Sequence, residues 1–419
     1  MINREIISEI KYWLWKEKIL ILKWPRQVWK TTIIKLLKKE LEEKNNKTVY
    51  FTVDKELWNP IFENVKYFIK FLNDQFDLNT KNKVYVFIDE FQYIKQAWLF
   101  MKILFDEFKD KIQFIVSGSS SLEITKNSEF LTWRKIEFFI WHINFFEFIN
   151  YKSKNRYKKI DFKNFEELEY LNNIYKNDIK TYILEYINYW WYPEVCISNN
   201  IKEKEIILKE IVSTYIKKDI INFLKVENIS AFNNLIKLLW DQIWNLVNKS
   251  ELANKLNINY ETLTRYLDIL EWTYIYKFIK PYFTNIRKEL SKMPKVFIND
   301  IWTLNSIFSR KYENLDLIPW NIIENIIYND LSVKYWLDNI YFYRTISKSE
   351  IDFIIQKENE LIPIEVKYRN NISKIPVAVK NFSNIYKDKV NNKIIITKDY
   401  LKKEENNLFI PFYLYSFIK

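Results

Sequence analysis

The chain has 419 residues, 48% of them hydrophobic and 18% aromatic, enough for two to four domains with their own cores. No apolar run reaches the roughly 18 residues that suggest a membrane span, and the start Met-Ile-Asn-Arg-Glu lacks the apolar centre of a signal peptide. A single cysteine, Cys196, cannot close an internal disulfide, so a cytoplasmic protein is expected, and one histidine plus one cysteine exclude a His/Cys zinc site. The net charge of +12 favours polyanionic partners, nucleic acid first, although AT-rich coding also yields chains rich in lysine, asparagine and isoleucine.

In chain order, Ile19 to Lys23 reads as a strand and the apolar run after Lys30 as a helix. Between them stands Trp24-Pro25-Arg26-Gln27-Val28-Trp29-Lys30-Thr31-Thr32. The phosphate-loop pattern G-x-x-x-x-G-K-[ST] fits every position except the two glycines, both of which are tryptophan. In such a loop closely approaching backbone N–H groups cradle ATP phosphates, Lys30 would reach the β and γ phosphates, and Thr31 would ligate Mg²⁺. An indole at Trp24 or Trp29 would fill that cradle.

Thr48 to Asp54 is a further strand, and Val84 to Ile88 another, ending in Asp89-Glu90-Phe91-Gln92. Two carboxylates at the end of a buried strand suit a metal-shell ligand, Asp89, and a residue that orients the attacking water, Glu90. A helix is expected over Trp98 to Phe108, then a strand over Ile112 to Val116 that ends in Ser117-Gly118-Ser119. Ser117 and Ser119 are candidates for sensing the γ-phosphate. Arg134, before the strand Ile136 to Ile140, is read as an arginine finger or as a plain surface arginine.

Glycine is the anomaly. At average usage of about 7% a chain of this length would carry roughly thirty; it has one, Gly118, beside 16 tryptophans. Trp133 stands in a turn, Trp190-Trp191 precede Tyr192-Pro193, Trp272 falls at a helix end, and Trp302 and Trp336 fall in connections. These are places where glycine supplies φ > 0. In some bacterial lineages UGA is read as glycine, and this accounts for the pattern; Trp13 and Trp15 are ambiguous. The other reading is a Trp-rich protein with a dead loop.

The runs KWPRQVWKTT, FIDEFQYI, IVSGSSS, LTWRKIEFFIWHINFFEFI and YWWYPEV resemble the prokaryotic AAA-superfamily ATPases that carry a C-terminal domain of unknown function related to restriction endonucleases. The resemblance spans nearly the whole chain. It implies ATP and Mg²⁺ as cofactors, and departs from the family mainly by tryptophan at glycine positions. His142, where relatives often have proline, is read as structural.

Farther on, Tyr151 to Lys163 is a basic, aromatic linker, and Tyr215 to Ile220 resembles a lid motif in which Lys217 and Lys218 face nucleotide, DNA or solvent. From Asn248 to Leu267 two short helices joined at Asn257 to Asn259 form a helix-turn-helix, with Ser250 as N-cap and Thr262, Thr264 and Arg265 exposed on the second helix. Tyr274 to Tyr282 reads as the first wing strand. In the tail, Glu324 lies on a helix over Asn321 to Leu331, Asp352 on one strand, and Glu365 and Lys367 on the next. That spacing resembles a PD-(D/E)xK nuclease core, in which Asp352 and Glu365 share a metal, Lys367 stabilises phosphate charge, and Glu324 completes the shell.

The expected fold is therefore α/β: a parallel-sheet ATPase core (1–150), a helical lid (151–235), a winged helix (236–310) and a nuclease-like domain (311–419). The expected function is Mg²⁺-dependent ATP hydrolysis coupled to DNA or a protein partner. The alternatives are a nucleotide-switched DNA-binding module and an ATP-gated nuclease. A finger acting in trans would imply a homo-oligomer.

Overall fold

A computed structural model describes residues 2–14, 16–23, 30–56, 58–76, 83–118, 131–189, 195, 198, 200–214, 226–283, 293–299, 311–335, 337–369, 372 and 374–419, with backbone only at residues 30–32, 201, 208, 209 and 211–214. Several expectations lie outside the described residues: loop residues Trp24 to Trp29, Ser119, Trp15, Trp190, Trp191, Cys196, Lys217, Lys218, Trp302 and Trp336. The chain forms two compact units, Asn3–His142 and Ile143–Lys419 with Met1–Ile2. The segments expected at 151–235, 236–310 and 311–419 all fall in the second. Among the described residues no helix is long and apolar enough to cross a membrane.

The first unit is built on five parallel strands: β1 (Ile19–Lys23), β2 (Lys47–Thr52), β3 (Val84–Asp89), β4 (Ile112–Gly118) and β5 (Lys135–Phe139). Their order is β2-β3-β4-β1-β5. β3 and β4 are buried along their whole length, as near-continuous apolar runs require when both faces of a parallel sheet are covered. Alternate residues point to opposite faces. Ile19, Ile21, Val86, Ile88 and Phe114 join the core that holds Phe68 of α3 (Val65–Gln75) and Met101 and Leu104 of α4 (Ala97–Phe108). Leu20, Leu22, Tyr85, Phe87 and Ile115 pack instead with Ile10 of α1 (Ile6–Trp13) and with Ile33, Ile34, Leu37 and Leu41 of α2 (Lys30–Glu43). The 3–4 residue spacing on α2 places those four on one helix face.

Trp133, in the turn before β5, has φ 60°. A bulky residue in the left-handed region is a genuine outlier, whereas glycine adopts it without penalty.

The second unit starts with α5 (Phe145–Lys152). Asn144 accepts from the Glu147 N–H at 2.8 Å while the Glu147 carboxylate accepts from the Asn144 N–H at 3.2 Å, a reciprocal cap on two otherwise orphaned donors. Asn144→Ala is expected to lower unfolding stability by about 1 kcal/mol in urea titration; an unchanged midpoint would contradict that assignment.

There follow α6 (Phe165–Tyr189), α7 (Ile201–Thr214), α8 (Ile229–Asp241), α9 (Lys249–Leu256), α10 (Tyr260–Trp272) and a hairpin of β6 (Tyr276–Ile279) with β7 (Lys295–Ile298). Helices α9 and α10, joined by a short turn, precede this hairpin in the segment expected to hold a helix-turn-helix and wing. The turn places Asn257 at φ 53°, and Leu263, Tyr266, Leu267 and Leu270 are buried. Three local expectations are corrected. The α9 cap is Asn248, which accepts from the Glu251 N–H at 3.2 Å, and Ser250 lies inside the first turn. The wing strand is confined to Tyr276–Ile279. Trp272 is the last residue of α10, and the left-handed position after that helix is Tyr274, φ 58°.

The unit closes with α11 (Trp320–Lys334), α12 (Val377–Ile385) and six strands, β8 (Ile340–Arg344), β9 (Glu350–Lys357), β10 (Glu360–Lys367), β11 (Lys393–Thr397), β12 (Lys402–Glu404) and β13 (Asn407–Pro411). Their order is β12-β13-β11-β10-β9-β8, with β10-β11 and β11-β13 parallel and the other pairs antiparallel. The hairpin is fastened to this layer: Asn325 of α11 accepts from the Ile298 N–H at 2.8 Å and donates to its carbonyl at 2.7 Å. Lys295, buried in β7, pairs with Glu350 at the head of β9, which also takes Arg344 at 3.0 Å.

Candidate functional site

β1 ends at Lys23 and α2 begins at Lys30, so the phosphate-loop segment joins a strand end to a helix N-terminus. Backbone N–H groups at a helix N-terminus are oriented toward anions. β3, which carries the two carboxylates, is separated from β1 by one strand, β4. Because all these strands are parallel, Lys23, Asp89 and Ser117 lie at the same end of the sheet. Asp89 and Ser117 follow the alternation of Phe87 and Ile115, so they face the layer that contains α2.

Asp89 is 2% exposed and tightly held. Its Oδ1 accepts from the Ser117 hydroxyl at 2.6 Å and from the Glu90 N–H at 3.0 Å, and its Oδ2 accepts from the Tyr50 hydroxyl at 3.0 Å. Burial first, with the Asp89 charge adding to it, pushes the Tyr50 hydroxyl up to about 12, so it keeps its proton and donates at neutral pH. Glu90 stands just past the strand with φ 56°, and its Oε2 accepts from Gln92 Nε2 at 2.5 Å. These three donors are neutral and orient the carboxylate, whose oxygens are hard donors that fit the hydrated shell of Mg²⁺.

Arg134 is placed elsewhere. It heads β5, where its carbonyl accepts from the Ile19 N–H at 2.8 Å, at the end of the sheet opposite Asp89. The five residues of β1 put about 16 Å between the two ends. Its guanidinium grips Asp106 of α4 through two bonds of 2.7 and 3.1 Å and lies 4.2 Å from the centre of the Trp133 ring. Within one chain, then, Arg134 does not join Asp89 and Glu90. His142 is buried, and its carbonyl accepts from Arg4 at 3.3 Å.

In the second unit the structure does bring the tail carboxylates together. Asp352 and Glu365 sit on adjacent antiparallel strands. The Asp352 N–H donates to Glu365 Oε2 at 3.3 Å, the Val366 N–H donates to Asp352 Oδ2 at 2.7 Å, and Lys367 pairs with Glu365. Burial raises the carboxyl pKa of Glu324, Asp352 and Glu365 alike, and the Asp352 charge adds to this at Glu324 and Glu365. Glu324 Oε2 is buried without a hydrogen-bond partner. Yet among the described residues no three His, Cys, Asp or Glu side chains are gathered to hold a metal ion. The structure thus brings Asp352, Glu365 and Lys367 together, with backbone N–H groups on one oxygen of each carboxylate.

Two features escaped sequence reasoning. Tyr50 lies in a recognised strand, but nothing in its sequence neighbourhood marks its hydroxyl as a partner of Asp89. Lys295 gives no local signal either, since only folding carries it to Glu350.

Residues 16–149 match the AAA domain family. Residues 180–313 and 321–415 match two domains of unknown function, DUF8612 and DUF4143. The chain is 26% identical over 332 residues to an uncharacterized protein of Methanocaldococcus jannaschii, covering 77% of this chain and 70% of that protein. It is 24% identical over 334 residues to an uncharacterized protein of Haemophilus influenzae, covering 78% and 75%. Among solved structures it is similar to the Aeropyrum pernix ORC1 protein in complex with DNA, at 10% identity, 74% and 93% coverage and a TM-score of 0.32.

Proposed function

We propose, from the match of residues 16–149 to the AAA domain family, that the chain is a P-loop ATPase that binds ATP with Mg²⁺ and hydrolyses it. The observation that carries this is the placement of Asp89 and Glu90 at the strand ends that also bear Ser117 and the approach to the loop. Mg²⁺, when bound, would supply positive charge that neutralises charge developing on the phosphate. Thr31 and Asp89 would hold it, Thr31 directly and Asp89 through its water shell. Lys30 reaches the phosphates, Ser117 ties the γ-phosphate end to Asp89, and Glu90 orients the attacking water and accepts its proton. Arg134, paired with Asp106, acts as a plain surface arginine within one chain; only a finger acting in trans, which requires a homo-oligomer, would give it a role at the site.

The loop works only with small residues at 24 and 29, so the active protein has glycine at both. The full chain carrying Trp24→Gly and Trp29→Gly is expected to hydrolyse ATP in the presence of Mg²⁺, and adding Lys30→Ala should abolish turnover. Hydrolysis that survives Lys30→Ala would refute the assignment.

A second reading concerns what the ATPase acts on. On α10 Leu263, Tyr266 and Leu267 are buried, leaving a solvent face that carries Arg265, flanked by the partly exposed Thr262 and Thr264. That face suits duplex DNA. In this reading the C-terminal sheet binds without cutting, and nucleotide acts as a switch. Duplex binding in a gel-shift assay that is untouched by Arg265→Ala would remove α10 from the interface.

A further inference from the structure

Tyr50 belongs to none of the motifs that point to nucleotide chemistry, yet its hydroxyl reaches the centre of the site. β2 and β3 run parallel with Thr52 beside Asp89 and Tyr50 beside Phe87. The phenol extends along the ladder and meets Asp89 Oδ2 at 3.0 Å. From the other side β4 supplies Ser117, whose hydroxyl meets Oδ1 at 2.6 Å. The carboxylate is therefore clamped from both neighbouring strands, with one hydroxyl on each oxygen.

We propose that Tyr50 is a positioning residue of the ATPase site, which fixes the orientation in which Asp89 meets the hydrated magnesium ion of bound ATP. The inference rests on the ATPase reading above. Tyr50 touches neither nucleotide nor water in this role; it acts through Asp89. Partners that orient a metal-holding carboxylate typically account for 10–100-fold in metal affinity. Phenylalanine keeps the ring, which packs at the edge of the α1–α2 core, and removes only the hydroxyl.

The test uses the full chain with glycine at 24 and 29. ATP binding is measured by calorimetry across a Mg²⁺ series and in EDTA, and Mn²⁺ bound in the ATP complex is counted by electron paramagnetic resonance. Tyr50→Phe is expected to raise the Mg²⁺ and Mn²⁺ concentrations for half-saturation about 10-fold or more, with ATP affinity in EDTA and the thermal midpoint unchanged. An unaltered metal dependence overturns the proposal. So does loss of both EDTA binding and thermal midpoint, which is the mark of a merely structural tyrosine. If the reference chain binds no ATP under any condition, the ATPase reading itself falls and takes the proposal with it. That failure is recognised before Tyr50 is changed.

Discussion

Glu90→Gln, in the chain with glycine at 24 and 29, is expected to lower ATP turnover by about 10²–10⁴-fold while ATP binding persists. The carboxylate accepts a proton and aligns water; the amide keeps the shape and loses the basicity. Glu90 sits one residue past the end of β3 in a left-handed conformation, with its backbone N–H on Asp89 and its side chain bonded to Gln92. Changing it removes the base and leaves the donors that orient Asp89. Single-turnover hydrolysis alongside equilibrium ATP binding separates the two effects. Equal losses in both would mean that Glu90 shapes the fold rather than the chemistry.

Trp244→Gly is expected to raise the unfolding midpoint, against the usual outcome of truncating a tryptophan. Trp244 has φ 76°, two residues past the cap of α8, with its N–H donating to the Val296 carbonyl at 2.7 Å. The backbone conformation is thus fixed by the hairpin. A bulky residue there stores about 1–3 kcal/mol of strain. Its indole N–H is buried without a hydrogen-bond partner, a further cost of about 1–3 kcal/mol. Against these stand the Lys295 ammonium, 3.7 Å from the ring centre and worth about 2 kcal/mol at most when desolvated, and the edge-on Trp320 ring at 4.6 Å, worth about 0.5–1.5 kcal/mol. Glycine relieves both penalties. A loss of about 3 kcal/mol, the cost of deleting a native aromatic core residue, would instead show that tryptophan belongs at 244 and would weaken the UGA-as-glycine account. Trp133→Gly, at φ 60°, provides an independent second site for the same comparison.

Much of the first unit was legible in the sequence because its strands are buried on both faces. Uninterrupted runs such as Val84 to Ile88 and Ile112 to Val116 have few other places to go. The sequence marked Ser117 as a polar residue ending an apolar strand, but its contact with Asp89 comes from the pairing of β3 with β4. Arg134 could have been placed better: a residue that precedes a parallel strand sits at the end of the sheet opposite the residues that follow one. Tyr50 was hidden because its partner is 39 residues away across a strand pairing that no local pattern specifies. In the second unit the spacing of Asp352, Glu365 and Lys367 predicted their proximity, but not the backbone N–H bonds that each carboxylate accepts. Trp244 carries no turn signal in Gln-Ile-Trp-Asn-Leu. Its left-handed backbone arises where the end of α8 meets β7.

The central claim is that the segment between β1 and α2 cradles a triphosphate once small residues stand at 24 and 29. Its most direct test is calorimetric titration of Mg·ATP into the full chain with and without Trp24→Gly and Trp29→Gly. Saturable binding below about 1 mM is predicted for the glycine form and not for the tryptophan form. A glycine form that binds no more ATP than the tryptophan form would contradict the account.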